Sequence, residues 1–346
     1  MRILVVSDGL DTVMTMTFAG LAERYGHEVR VIGPGWGGRK MGGVECVDSQ
    51  CVKSKFSPGA IRDIRRAIHR YGTDLIYAPS TSGLSNALFA SLGTGVRVVG
   101  YRGTQHRIHR TDPTNYMALL NPRVSHVVCE TPDIESYLSS FIPASKLSGR
   151  SKPYQTEWVA EALSNPLPSP LPSGRIRCIF IGSSKGRPFK GLAYLIEAMR
   201  MLEPEGVTLT VIGSVDESDM KTAPANVAFT GLRRDAINFL PSHHMLVLPS
   251  LRDASPRVVR EAQACGVACV VTDIPGARDL IIPGETGVLV PPGDARAIAS
   301  AILAIGNEPG KAEAMGKAGR RNIEQNYGIG PYIDYFDRLF KDLCGK

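Results

Sequence analysis

A chain of 346 residues with 43% hydrophobic residues has room for two globular domains, and its short apolar runs, each broken by glycine, proline or charge, exclude a bilayer-spanning helix. The formal net charge of +7 points to an anionic partner: a nucleic acid, a membrane surface or a phosphorylated substrate. Seven cysteines, an odd number without paired metal spacing, argue against a disulfide framework or a metal site; Cys129, Cys178, Cys265 and Cys269 read as reduced core thiols, and the close pair Cys46 and Cys51 lacks partnering histidines.

Met1-Arg2-Ile3 passes into the first strand without a signal-peptide pattern, so cytoplasmic synthesis and residence are expected. The Ile-Leu-Val-Val run predicts a buried strand over 2–7, a helix follows over 18–25, and Gly26-His27-Glu28 turns into a strand over 29–32. Asp8, Gly9 and Asp11 fill the loop after the first strand. The basic run 33–40 reads as a surface loop or as one that closes on a ligand. Residues 57–71 predict a capped amphipathic helix with Ile61, Ile64, Ala67, Ile68 and Tyr71 on one face. Around the rest lie Arg62, Arg65, Arg66 and Arg70, either an ordinary solvated face or a contact for anionic lipid headgroups.

Strands are predicted over 75–78, 96–101 and 124–130, with a helix over 132–141. The second of these strands runs into Arg102 and a loop containing His106 and His109, at a strand end that faces the ligand cleft. Periodicity is lost after residue 145, and a proline-rich run over 165–173 suits a connector, so a linker is expected over 151–174 between domains at 1–150 and 175–327.

A strand over 175–182 begins a second βα series and ends in Gly182 and a basic, glycine-bearing loop that carries Lys185, Arg187 and Lys190 into a helix over 192–202. No Walker ending is present in that loop. Strands over 207–213 and 227–231 end in Gly213 and Gly231, the latter followed by Leu232. The apolar run 245–248 predicts a buried parallel strand. Ser255 and Pro256 then read as N-cap and first helical residue of a helix from Arg257 to Cys265, with another strand over 267–272. A helix start beside a strand end is a natural phosphate site, and Asp253 and Glu261 bracket it with seven residues between them. Helices over 295–306 and 311–327 precede a last one over 331–343, whose aromatic stripe reads as packing.

The run from Asp253 to Glu261, then EAQACGVACVVTD, GARDLI and GETGVLVPPGD, resembles the donor site of the retaining glycosyltransferases of family four. The resemblance implies the GT-B arrangement, an α/β fold of two Rossmann-like doubly wound domains facing a cleft, with the final helix (328–346) crossing back to the first domain. It implies a nucleotide-sugar donor, a glycan or lipid-linked acceptor, and no metal ion, cofactor or nucleic acid. It gives Lys190 to the donor diphosphate, Glu261 to the ribose and Asp253 to the donor sugar, adds Arg187 and Arg102 to Lys190 and Asp253 as catalytic residues, and puts Asp8, Gly9, His106 and His109 on the acceptor side. Ser255, Pro256 and Arg257 fall at the helix start, and Gly182, Gly213, Gly231 and Leu232 at strand-end loops that present backbone to the nucleotide.

Three departures stand out: Arg102 replaces a histidine, Asp253 is one methylene shorter than the family's glutamate, and Ser183 replaces an arginine, leaving Arg187 or Lys185 to supply the second positive charge. Ser-Pro-Arg after Asp253 is similar to members that build bacterial surface polysaccharides, commonly from UDP-linked sugars. The expected activity is therefore metal-independent hexosyl transfer, UDP preferred, in the cytoplasm or at the inner face of a membrane. The competing readings are a sugar-nucleotide epimerase of the same fold and a catalytically silent nucleotide- or glycan-binding subunit. A dinucleotide oxidoreductase is disfavoured, since no G-x-G-x-x-G follows either opening strand.

Overall fold

Apolar strand runs alternate with helices along the whole chain, and in a computed structural model they form two parallel sheets, each in its own unit: residues 1–152 with 329–346, and residues 153–328. The structure describes residues 1–37, 39, 41–49, 54–104, 107–172, 175–253 and 255–346. His106, Cys51, and Gly38 and Lys40 of the basic loop lie outside the described residues.

In the first unit the strands are β1 (Arg2–Val6), β2 (Glu28–Gly33), β3 (Val44–Asp48), β4 (Leu75–Ala78), β5 (Arg97–Arg102), β6 (His126–Cys129) and β7 (Leu147–Gly149). They pair in the order β3-β2-β1-β4-β5-β6-β7. Helices α1 (Thr12–Tyr25), α2 (Pro58–Tyr71), α3 (Thr81–Ala90), α4 (Pro113–Tyr116) and α5 (Pro132–Leu138) connect them. Helix α1 starts six residues before the expected 18, because the Asp11 carboxylate accepts from the Met14 N–H (2.9 Å) and caps it. Helix α2 runs as expected from its Ser57 cap to Gly72, burying Ala60, Ile64, Ala67 and Ile68.

The second unit opens with helix α6 (Thr156–Ser164), which falls inside the stretch expected as a linker and packs against the 3₁₀ segment Ala236–Ser242. Its strands β8 (Ile176–Ile181), β9 (Val207–Ile212), β10 (Val227–Gly231), β11 (Met245–Leu248), β12 (Ala268–Thr272) and β13 (Gly287–Val290) pair in the order β10-β9-β8-β11-β12-β13. Helices α7 (Leu192–Leu202), α8 (Glu217–Thr222), α9 (Arg257–Ala264), α10 (Ala295–Gly306) and α11 (Lys311–Asn326) complete it. The chain ends in α12 (Ile329–Cys344), part of the first unit. Tyr332, Phe336 and Phe340 of α12 are buried there with Phe18, Leu21 and Tyr77. The His27 imidazole, 2.7 Å from the Asp337 carboxylate, and Lys341, 2.8 Å from the same group, add polar contacts along α12. Among the described residues no helix is long and apolar enough to cross a membrane.

Each unit buries a neutral histidine. His126 on β6 bonds the Ser148 hydroxyl (2.6 Å). His243 donates from Nδ1 to the Phe239 carbonyl (2.6 Å) and accepts at Nε2 from the Thr210 hydroxyl (2.9 Å). Burial lowers both from 6.5 to about 4. The unfolded chain binds the extra protons first, so the stability these groups hold above 6.5 is lost as pH falls towards about 4. Each is expected to cost about 2 kcal/mol at about pH 5. Thermal unfolding at that pH and at neutrality measures it, and equal melting temperatures would rule the effect out.

Candidate functional site

In the second sheet the strand order reverses between β8 and β11: β9 and β10 lie to one side, β12 and β13 to the other. Open parallel sheets bind ligands at the carboxyl ends of strands flanking such a reversal. A cavity of about 310 Å³ opens there, lined by Gly182 after β8, by Lys190, and by Asp253, Ser255, Pro256, Arg257 and Glu261 around the start of α9.

Two loops build it, and they are stitched together. The Leu251 N–H donates to the Phe189 carbonyl (2.7 Å), and the Arg252 guanidinium lies 4.4 Å from the centre of the Phe189 ring. Beside them the Lys190 ammonium meets the Asp253 carboxylate at 2.7 Å, with both side chains largely shielded from solvent. Gly191 makes this approach possible: its φ is +73°, and a Cβ there would collide with the Pro249 carbonyl. An ammonium carries three N–H donors, so Lys190 can keep Asp253 and still meet two oxygens of an anionic guest.

The start of α9 differs from the sequence expectation. Pro256, not Ser255, occupies the N-cap position, and no side chain caps the helix. The Ser255 hydroxyl instead accepts from Arg260 Nη1 (2.7 Å). With no capping side chain, the helix start presents its positive end to the cavity. Glu261, one turn in, is buried. That burial pushes its carboxyl above the usual range, and the Arg257 and Arg260 guanidiniums pull it back. Nothing in the sequence pattern marks Arg260: in Arg-Val-Val-Arg-Glu-Ala-Gln-Ala it reads as one more solvated charge.

Seven of the expected donor residues thus share one cavity: Gly182, Lys190, Asp253, Ser255, Pro256, Arg257 and Glu261. Arg187 does not join them. It is exposed ahead of the 3₁₀ turn Pro188–Lys190, and Arg257 is the second cation on the wall. Gly213, Gly231 and Leu232 stay outside the lining, one and two strands away. The Gly213 N–H donates to the Gly231 carbonyl (2.9 Å), and Leu232 is 77% exposed. Gly213, at φ +142°, has no room for a Cβ against the Gly182 carbonyl, so this edge brings β8 and β9 into close approach.

The remaining expected residues belong to the first unit. Arg102 ends β5 half-buried, its Nε donating to the Thr104 carbonyl (2.8 Å). Asp8 and Gly9 follow β1, where the Ser7 hydroxyl donates to the Gly9 carbonyl (2.6 Å). His109 is exposed. Cys46 is a half-buried free thiol whose pKa burial raises. Among the described residues no group of three or more histidine, cysteine or acidic side chains is arranged to hold a metal ion.

Residues 175–308 match the family model described as glycosyl transferases group 1, which takes in the whole cavity. The capsular polysaccharide biosynthesis glycosyltransferase CapM of Staphylococcus aureus is 34% identical over 148 residues, 40% of this chain and 39% of that protein. The UDP-Gal:alpha-D-GlcNAc-diphosphoundecaprenol alpha-1,3-galactosyltransferase of Escherichia coli is 26% identical over 184 residues, 49% of this chain and 47% of that protein. The matched stretch therefore spans less than half the length of either relative. The Anabaena protein Alr3699/HepE, solved in complex with UDP, superposes with a TM-score of 0.74 at 17% identity, covering 99% of this chain and 100% of that one. The two parallel-sheet α/β units are those of the GT-B fold.

Proposed function

From the group 1 glycosyl transferase domain at residues 175–308, we propose that this protein moves a sugar, with retention of configuration, from a UDP-linked donor to a glycan or lipid-linked acceptor. The observation that carries this reading is the cavity at the β8/β11 reversal, where Lys190 and Arg257, an uncapped helix start and two carboxylates of different burial surround one space. Lys190, Arg257 and the α9 start meet the diphosphate and the charge that grows on it as the anomeric bond breaks. Glu261 accepts from the ribose hydroxyls, and Asp253 orients the sugar. No metal ion is required, because these groups supply the positive charge. UDP is favoured because the Anabaena neighbour is complexed with it and the Escherichia coli relative is named for a UDP-sugar.

The test is incubation with radiolabelled UDP-sugars, with and without an extract of lipid-linked acceptors. Label entering acceptor with release of UDP is expected. An isomerised nucleotide sugar would indicate an epimerase, and binding without turnover a silent subunit; either outcome overturns the reading.

The membrane side of the proposal rests on the first unit. A groove of about 870 Å³ has Phe56, Ile61, Phe89 and Leu92 on its walls and Arg62, Arg65, Arg66 and Arg70 beside them. Phe56 and Leu92 are about half exposed, at 52% and 49%. Arg65 is exposed, as expected of the rim, and its Nη1 also donates to the Ala90 (3.2 Å) and Leu92 (2.9 Å) carbonyls, anchoring α2 to the end of α3. Arg62 and Arg66 each lie 3.7 Å from Asp63, and both remain mostly exposed. Apolar side chains beside such cations suit an anionic bilayer surface, each cation contributing about 1 kcal/mol. The protein is expected to sediment with anionic and not neutral liposomes at low salt, and the attraction weakens as the Debye length falls from about 10 Å at about 0.1 M to about 3 Å at about 1 M. Replacing Arg62 and Arg66 with glutamate is expected to release it. Equal sedimentation with both liposome types, or with neither, would remove the membrane from the proposal.

A further inference from the structure

Arg260 is the largest of the fully buried side chains, 1% exposed inside an eight-residue helix. Nη1 holds the Ser255 hydroxyl (2.7 Å), the Ser255 N–H donates to Asp253 Oδ1 (3.4 Å), and Asp253 Oδ2 holds the Lys190 ammonium (2.7 Å). A chain of hydrogen bonds therefore runs from a buried cation to the lysine at the mouth of the site. The Arg260 side chain also follows directly on Val259 and precedes Glu261, the buried carboxylate of the same site.

We propose that Arg260 is a positioning residue of the donor site, fixing the Asp253–Lys190 pair through Ser255. This rests on the donor-site reading above. The effect needs the planar guanidinium held at the Ser255 hydroxyl, a placement that the flexible lysine stem does not fix.

UDP and uridine serve as probes, since uridine reports the nucleoside contacts without the diphosphate and the ratio of the two affinities reports the diphosphate contact. Titrations are made on the full chain for the parent, Ser255→Ala, Arg260→Lys and Arg260→Met. All three variants are expected to lower the UDP-to-uridine ratio by about tenfold.

A purely structural arginine gives a different pattern: lower melting temperatures with the parental ratio in the folded fraction, which overturns the proposal. Should Arg260→Met fail to fold, Ser255→Ala and Arg260→Lys still decide, and a parental ratio in both overturns it. A parent that binds neither probe defeats the donor-site reading itself, an outcome distinct from failure of the Arg260 inference.

Discussion

Lys190→Ala is expected to lose transfer activity by about two to three orders of magnitude while the protein stays folded, the size found when one preorganised donor to a developing charge is removed. The ammonium is placed by Gly191 and by the Asp253 carboxylate 2.7 Å away, and it faces the cavity where the leaving diphosphate gathers charge. Its contact strengthens as the anomeric bond breaks, so the loss falls on turnover more than on ground-state affinity. Folding survives because the Asp253 side chain, though largely shielded, keeps 16% exposure, and water can take over from the missing amine. Turnover and circular dichroism of the variant settle the matter. Activity within about threefold of the parent, about 0.65 kcal/mol, is too small for that role.

The two acids are expected to separate. Glu261→Ala weakens free UDP by about a hundredfold, near 3 kcal/mol, because two ribose hydroxyls lose a charged acceptor. Asp253→Asn leaves UDP affinity within a few-fold, because its amide oxygen can still accept from Lys190, and lowers turnover, because the charge beside the sugar is lost. The pH dependence follows the burial. The Glu261 carboxyl titrates above its ordinary 4.5, so UDP binding weakens on the acid side as pH falls through that raised value. Calorimetry on both variants measures the split, and normal binding together with normal turnover in both would dissolve the assignment.

The centre of the second unit is legible in the sequence because β11 and β12 are buried along their whole length and read as nearly unbroken apolar runs. Met245–Leu248 stands at the predicted bounds, and α9 and β12 begin or end within a residue of them. The first unit hides more. Helix α3, not predicted, buries Gly83, Leu84, Ser85, Asn86, Ala87 and Leu88 in succession, so it has no polar face to give a period. Strand β3, Val-Glu-Cys-Val-Asp, lies at the sheet edge and is only partly buried. The first half of α1 alternates Met and Thr, which reads as period two until Asp11 is seen to cap it.

At the site, the sequence spacing of Asp253 and Glu261 pointed to the cavity, and the residues with special backbone roles were harder. Ser255 has the composition of a cap, yet its hydroxyl turns to an arginine five residues on, and no local rule shows that. The Lys190–Asp253 pair joins positions 63 residues apart. Arg187, expected with Lys185 as a source of the second positive charge beside Lys190, is separated from it by the 3₁₀ turn Pro188–Lys190, which leaves Arg187 exposed and Lys190 on the cavity wall.

The central claim is that the cavity at the β8/β11 reversal holds a nucleotide diphosphate. Its most direct test is a calorimetric titration of the full chain with UDP, GDP, ADP and CMP, repeated on Lys190→Ala and Glu261→Ala. The account predicts one UDP per chain, weaker binding of the other three, and loss of UDP affinity in both variants. Binding of none of the four, or UDP binding unchanged by both substitutions, would contradict it.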